Sequence, residues 1–339
     1  MCTPPVLRLH NPPVTHFGDA AQEYHIAREG CALFDLSDRT QIEMRGKDAG
    51  SFLHRFCTND IQRLSPGEGC EAFVTNIKGR ILAHIFVFAT SDGVWIDSPS
   101  LDEEQLITHF DRYLFREDVA LLGRSQDFGD LYVAGAASIG RLVDLGVPVD
   151  AFGHLQHAMS ALGDITVAVR RIDFWDRPGF LISADRASHV ALWDKMVTAG
   201  MQPAGSLAFH AHRIQHQFPW YGLDLSTDNL AQEAKRNEQA ISFTKGCYLG
   251  QEPIARIDAL GHINRQVAGL HMATTTPLGG NLPITTDEGD QVGQITSSVA
   301  VPGQQETVAL ALLRTGHANA GTQLRVQSDQ GTIDATVCG

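Results

Sequence analysis

Phe243-Thr244-Lys245-Gly246-Cys247-Tyr248-Leu249-Gly250-Gln251-Glu252 is the stretch in which the chemistry of this chain is most concentrated. Two glycines bracket a Cys-Tyr pair, a cation stands two residues before the sulfur, and Gln251-Glu252-Pro253 reads as the opening turn of a helix, where proline is tolerated. A thiol held there would feel both the helix N-terminus and Lys245, each of which favours thiolate over thiol. On residue chemistry alone Cys247 is either a reactive or ligating thiol or a buried structural cysteine, and the segment leaves both open.

The chain around this segment has 339 residues, which at about 150 residues per domain gives an expectation of two or three domains. With 43% hydrophobic and 19% charged residues its composition excludes disordered, collagen-like and heptad-dominated architectures. Lys and Arg number 26 against 39 Asp and Glu, and the net charge of −13 excludes a general basic face for nucleic acid or anionic lipid. Cys2, Cys31, Cys57, Cys70, Cys247 and Cys338 are scattered, with no C-x-x-C pair and no histidine at finger spacing, so they read as reduced thiols. Met1-Cys2-Thr3-Pro4-Pro5 lacks the basic and apolar regions of a secretory signal. The longest apolar run, residues 81–89, is broken by His84 and is far short of the roughly 20 residues that span a bilayer. The expectation is a cytoplasmic protein with no membrane and no direct nucleic-acid partner.

Upstream, residues 16–30 place Phe17, Ala20, Ala21, Tyr24 and Ala27 at helical spacing and end on a glycine. Residues 32–36 and 41–45 read as strands on either side of Ser37-Asp38-Arg39, and Asp48 is placed to cap a helix running through Phe56. Between residues 69 and 96, three apolar runs separated by Lys78-Gly79 and Asp92-Gly93 predict an antiparallel meander, followed by an amphipathic helix over 101–114. Residues 131–134, 165–172 and 179–183 give further strands, with a helix ending at Gly146, so a second α+β unit is expected. Pro277-Leu278-Gly279-Gly280 marks a boundary before short strands punctuated by Gly289-Asp290, Pro302-Gly303 and Gly321-Thr322, the pattern of a small β-barrel.

Other candidate motifs are weaker. Gly135-Ala136-Ala137-Ser138-Ile139-Gly140 lacks the Lys-Ser/Thr pair of a phosphate loop and reads as a tight turn. His210, His212 and His216 fall on one helix, but nothing completes a metal site, and we read them as a partly exposed polar face with no metal. Glu233, Glu252 and Asp258 are candidate acids or bases whose ordinary state is solvated surface.

The KGCYLGQE segment, followed by Ala255-Arg256, Gly261 and Asn264-Arg265, resembles the signature of the YgfZ-type folate-binding proteins, relatives of the glycine cleavage T-protein. Leu33-Phe34-Asp35-Leu36-Ser37, Thr58-Asn59-Asp60-Ile61, Pro66-Gly67 and residues 76–79 look like the N-terminal half of that superfamily. Arg213-Ile214 and Tyr221-Gly222-Leu223-Asp224 look like its central part.

The resemblance implies an α+β, three-domain ring around a central channel for tetrahydrofolate. In it, residues 1–50 with 127–260 form the folate-binding domain, 51–126 an inserted α+β domain, and 261–339 a C-terminal β-barrel. It implies Asn76, Gln215, Tyr221 and Glu233 as folate-contacting residues. Cys247 is implied as the working thiol with Lys245 lowering its pKa, and Gly246, Tyr248, Gly250, Gln251, Glu252 and Arg256 as shaping the loop. Two departures stand out. Gln215 replaces the pterin-binding Glu of the T-protein relatives, and Leu82 and Ala83 stand where aminomethyltransferases carry acidic residues, a loss worth roughly 100-fold or more in acid-base catalysis. The resemblance therefore implies a folate-binding protein that supports iron-sulfur cluster assembly or repair, with iron-sulfur proteins or assembly factors as partners. The alternatives are a folate-dependent aminomethyltransferase or demethylase in which His84 or Glu233 replaces the missing acid, and a non-catalytic scaffold.

Overall fold

The computed structural model describes residues 14–99, 103–261, 263–276, 278–329 and 331–339. The Met1 to Pro5 segment, the start of the helix expected at Leu101 and the Pro277 boundary lie outside the described residues. Three sheets organise the rest. The first holds β1 (Ala32–Asp35), β7 (Phe128–Ala134), β8 (His157–Leu162), β9 (Ile165–Arg171), β10 (Gly179–Asp185) and β11 (Gln202–Pro203), in the order β11-β1-β7-β10-β9-β8. The second holds β2 (Thr40–Arg45), β3 (Gly69–Thr75), β4 (Ile81–Ala89), β5 (Gly93–Ser98) and β6 (Ala120–Gly123), ordered β3-β4-β5-β2-β6. The third is a closed barrel of β12 (Arg265–Met272), β13 (Pro283–Thr285), β14 (Gln291–Ala300), β15 (Thr307–Arg314), β16 (Gln323–Ser328) and β17 (Gly331–Val337).

Strand alternation decides what each face buries. Phe34, Tyr132 and Leu181 of the first sheet meet Phe86 and Phe88 of the second in one aromatic layer. Leu33, Leu131 and Val133 point the other way, where α4 (Ser138–Asp144) and α5 (His189–Thr198) cover them with Leu142, Leu192 and Trp193. Behind the second sheet lie α2 (Ala49–His54) and α3 (Glu103–Asp111), packing Phe52, Leu53, Leu106 and Phe110 onto Ile42 and Met44. A further cluster joins all three units. Phe73 and Ile81 of the second sheet, Ala211 and Ile214 of α6 (Ser206–Gln215), and Val267, Val299 and Leu310 of the barrel share it with Tyr221, Tyr248 and Ile254.

The expected α+β content, the 69–96 meander and the terminal barrel are all present. The first helix, α1 (Ala20–Glu29), begins four residues later than expected, where the Asp19 carboxylate accepts from the N–H groups of Ala21 and Gln22. The barrel takes in β12, inside the expected 261–339 unit and ahead of the turn at Leu278-Gly279-Gly280. Other expectations need correcting. The chain changes sheet at Ser37-Asp38-Arg39: β2 pairs with β5 and β6, so the boundary expected at residues 50/51 falls within the second unit. Asp48 does not cap α2; its Oδ2 accepts from the backbone N–H of Asp118 at 2.9 Å. Of the three histidines expected on a partly exposed face, His216, at the end of α6, is exposed and His210 half-buried, but His212 is not. His212 is buried against the Tyr24 carbonyl at 2.8 Å, and burial pulls its imidazole down to about 4. His210 accepts from Arg213 Nε at 2.7 Å. Among the described residues no group of His, Cys, Asp and Glu could hold a metal.

Candidate functional site

The KGCYLGQE loop is fixed on both sides of its sulfur, at Lys245 and at Tyr248, Leu249 and Gly250. A helix C-terminus leaves carbonyls unpaired, and their partial negative charge favours a cation. Lys245 supplies one: its buried ammonium donates to the carbonyls of His54 (2.5 Å), Cys57 (2.8 Å) and Asn59 (2.8 Å) at the end of α2. It also sits 4.9 Å from the centroid of the Tyr248 ring. An ammonium has three donors, and all three are engaged. Burial pushes Lys245 below the usual lysine range, with the neighbouring Cys57 opposing the shift. This corrects the expectation that Lys245 activates Cys247: the cation is turned into the protein, whereas Cys247 is exposed.

The other side of the loop rests on the β3–β4 turn. The Thr75 hydroxyl donates to the Leu249 carbonyl at 2.7 Å, and the Leu249 N–H reaches the Arg55 carbonyl at 2.9 Å. Gly250 adopts φ +86° at the start of α8 (Gln251–Leu260), and a Cβ there would lie 2.4 Å from the Asn76 carbonyl oxygen. Gly79, at the tip of the same turn, approaches Pro253 so closely that a Cβ would lie 3.1 Å from its Cγ. Tyr248 is buried in the three-way cluster, whereas Gly246, Glu252 and Arg256 are exposed. Gly250→Ala should therefore cost about 1–3 kcal/mol of backbone strain and loosen the loop. Chemical denaturation together with faster alkylation of Cys247 would show it; unchanged stability would mean that the turn yields without cost.

Among the described cysteines Cys247 alone is exposed; Cys31 and Cys57 are buried, and Cys70 and Cys338 are half-buried. Burial pushes the Cys31 thiol up to about 12 and that of Cys57 up to about 11. The loop thus presents one side chain outward from a frame in which Lys245, Tyr248, Leu249 and Gly250 are held by other elements.

The residues expected to contact folate border the three-way cluster, but each has an architectural bond. Asn76 Oδ1 accepts from the N–H groups of Lys78 (2.9 Å) and Arg80 (3.2 Å), closing its own turn. Tyr221 is buried within the cluster. Glu233 is buried rather than solvated, accepting from Asn229 Nδ2 (2.9 Å), from the Leu230 N–H (3.3 Å) and, across to the barrel, from Arg265 Nε (3.0 Å). Gln215 Oε1 accepts from the Tyr24 hydroxyl at 2.8 Å, while its Nε2 donates to no protein group. The buried Oε1 of Gln232, whose Nε2 donates to the Ile254 carbonyl at 2.7 Å, also has no partner. An amide donor and an unpaired acceptor are the kinds of group that the mixed edge of a pterin needs.

The positions where acids were missed carry no substitute that is free to act. Leu82 and Ala83 have no ionisable group. His84 is fully buried with Nε2 2.8 Å from Glu71 Oε1, and Glu71 is in turn paired with Arg236, whose guanidinium lies 4.8 Å from the centroid of Phe218. Sequence reading did not single out this Glu71-His84-Arg236 group. Its one signal is a glutamate on a strand whose other inward residues are apolar.

A barrel-ended fold of two joined α+β units, with this loop at their junction, defines the class. The structure of the glycine cleavage system aminomethyltransferase T from Bartonella henselae superimposes with a TM-score of 0.86, covering 96% of this chain and 90% of that one at 18% identity. The chain matches the GCVT N-terminal domain over residues 11–244 and the glycine cleavage T-protein C-terminal barrel domain over 265–339, and it belongs to the glycine cleavage T-protein family. Relatives named aminomethyltransferase include those of Synechococcus elongatus (24% identical, covering 95% of this chain and 87% of theirs) and Herpetosiphon aurantiacus (25%, 96% and 90%). A probable aminomethyltransferase of Halobacterium salinarum is 26% identical, covering 94% of this chain and 88% of its own. No described helix is long and apolar enough to cross a membrane.

Proposed function

We propose that this chain is a YgfZ-type member of its family, which binds tetrahydrofolate or a derivative at the three-way junction and supports iron-sulfur cluster assembly or repair in the cytoplasm through Cys247. The observation that carries the reading is the thiol of Cys247, the one exposed cysteine among the described residues, on a loop anchored on both sides of it. Gln215 and Gln232 would hold the pterin edge, and the folate would supply one-carbon and redox chemistry when bound. A cluster takes about four ligands, so Cys247 would act with thiols from an iron-sulfur protein or assembly factor. A second reading, folate-dependent aminomethyl transfer or demethylation, is favoured by the names of the relatives. Against it stand Leu82 and Ala83 in place of the acids, and the engagement of His84 and Glu233 in buried contacts.

The test begins with anaerobic calorimetry of the wild-type protein against tetrahydrofolate. Micromolar binding, about −8 kcal/mol, is expected; no binding to a folded sample removes both folate readings and leaves the scaffold. Cys247→Ser should keep the melting temperature and folate affinity, because the side chain is exposed, while losing support of a cluster-dependent enzyme. Full support by that variant would end the thiol role. Formaldehyde release from an N-methyl amine, abolished by His84→Ala or Glu233→Ala, would favour the second reading.

A further inference from the structure

A cavity of about 630 Å³ opens between the first and second sheets. No barrel residue and none of the residues discussed for folate lines it, so it is separate from the three-way junction. Its volume is in the range of small-molecule sites. The walls are the rings of Trp95 and Phe128, meeting edge to face at 5.3 Å between centroids, with Ala158, Met159 and Ala168 opposite.

At its base lies Arg170, only 3% exposed. Taking a guanidinium out of water is costly unless an anion and hydrogen bonds compensate. Here the compensation is incomplete. Nη1 donates to the Ser183 hydroxyl at 2.6 Å, and the guanidinium lies 5.0 Å from the centroid of Trp95. Nε has no partner, Nη2 makes no bond to the protein, and Arg170 forms no ion pair among the described residues. The Nε and Nη2 edge is the one that receives a carboxylate through two parallel hydrogen bonds. The buried indole N–H of Trp95 is likewise without a partner. Arg170 and Trp95, both lining this aromatic-walled cavity, thus each carry a donor with no protein partner. The acid next in line, Asp130, is held behind Ser183 and Gln41. Burial and the neighbouring Asp97 push its carboxyl up, and it reaches the guanidinium only through the Ser183 hydroxyl.

We infer that this cleft is a second ligand site, which takes a planar aromatic carboxylate with its anion on the Nε and Nη2 edge of Arg170 and on the Trp95 indole N–H. The ring system lies along Phe128 and the alanines, and Met159, 68% exposed, stands at the mouth.

The probe is sodium 2-naphthoate, with 2-naphthylmethanol as its uncharged counterpart, titrated calorimetrically into the full-length protein. Naphthoate should give saturable binding at least about tenfold tighter than the alcohol, as a charge-assisted bidentate pair requires. Arg170→Gln and Trp95→Phe should each weaken it, the first by about tenfold or more. Because Arg170→Gln removes a buried charge and so puts the fold at risk, Met159→Trp is the companion variant: it changes only an exposed residue and should block entry. Three results overturn the inference. They are no saturable heat at about 10 mM naphthoate, equal affinity for acid and alcohol, and undiminished binding in Met159→Trp and Trp95→Phe.

Discussion

Glu71→Ala should unfold about 3–5 kcal/mol more easily than the wild type, the range found when one partner of a buried ion pair is removed. Glu71 is fully buried and serves two neighbours, Arg236 through both carboxylate oxygens and His84 through one. Truncation leaves a guanidinium and an imidazole in the interior with no acceptor. Acid should reproduce part of the effect. Burial by itself would raise the Glu71 carboxyl, but hydrogen bonds and charge from Arg236, with a smaller share from His84, outweigh it and hold the group at about 2 against an ordinary 4.5. A folded-state value below the unfolded one means stabilisation that is complete above about pH 4.5 and lost as pH falls toward 2, on the order of 3 kcal/mol. Denaturant titrations of the wild type and of the isosteric Glu71→Gln should therefore differ most at neutral pH and converge through that acid window. A constant difference at all pH values would show that Glu71 is not the titrating group.

The residues in this group explain what was legible in the sequence and what was not. Strands β3, β4 and β5 could be read because their period and their Lys78-Gly79 and Asp92-Gly93 turns are local signals. The sheet to which β2 belongs could not, because it is set by pairing with Gly93 to Ser98, about fifty positions later. At the site, KGCYLGQE gave the loop, the α8 start and the thiol. It did not give the direction of Lys245, which is decided by carbonyls at His54, Cys57 and Asn59, some 190 residues away. Proximity in sequence suggested a Lys-Cys pair, but the ammonium goes to the carbonyl that ends α2 and to two more in the segment that follows it. Glu71 with Arg236, and Arg170 with Trp95, escaped notice for the same reason. Each is an ordinary charged or aromatic residue until the fold brings its partner near.

Asp224→Ala should be the most disruptive single change at the barrel interface, again about 3–5 kcal/mol, and its effect should be local before it is global. The Tyr221-Gly222-Leu223-Asp224 segment carried part of the family resemblance, and the structure gives its aspartate a structural task. Oδ2 accepts from Arg213 Nη1 (2.7 Å) and from the Trp220 N–H (2.9 Å). Oδ1 accepts from the hydroxyls of Thr296 (2.6 Å) and Ser297 (2.5 Å) on β14. One carboxylate thus ties α6, the turn after it and the barrel, and Arg213 is fully buried against it. Removing the carboxylate strands that guanidinium and releases β14, so amide exchange in α6 and β14 should accelerate while β8 and β9, remote from the interface, keep wild-type protection. Replacing both partners, Arg213→Met with Asp224→Leu, removes the unpaired charge and should recover part of the loss, but not all, because the Trp220 and Ser297 donors still lack an acceptor, whereas Thr296 can turn to the Leu310 carbonyl at 3.0 Å. If Asp224→Ala exchanged uniformly faster across all three sheets, the aspartate would be a general stability determinant and not the tie that docks the barrel on α6.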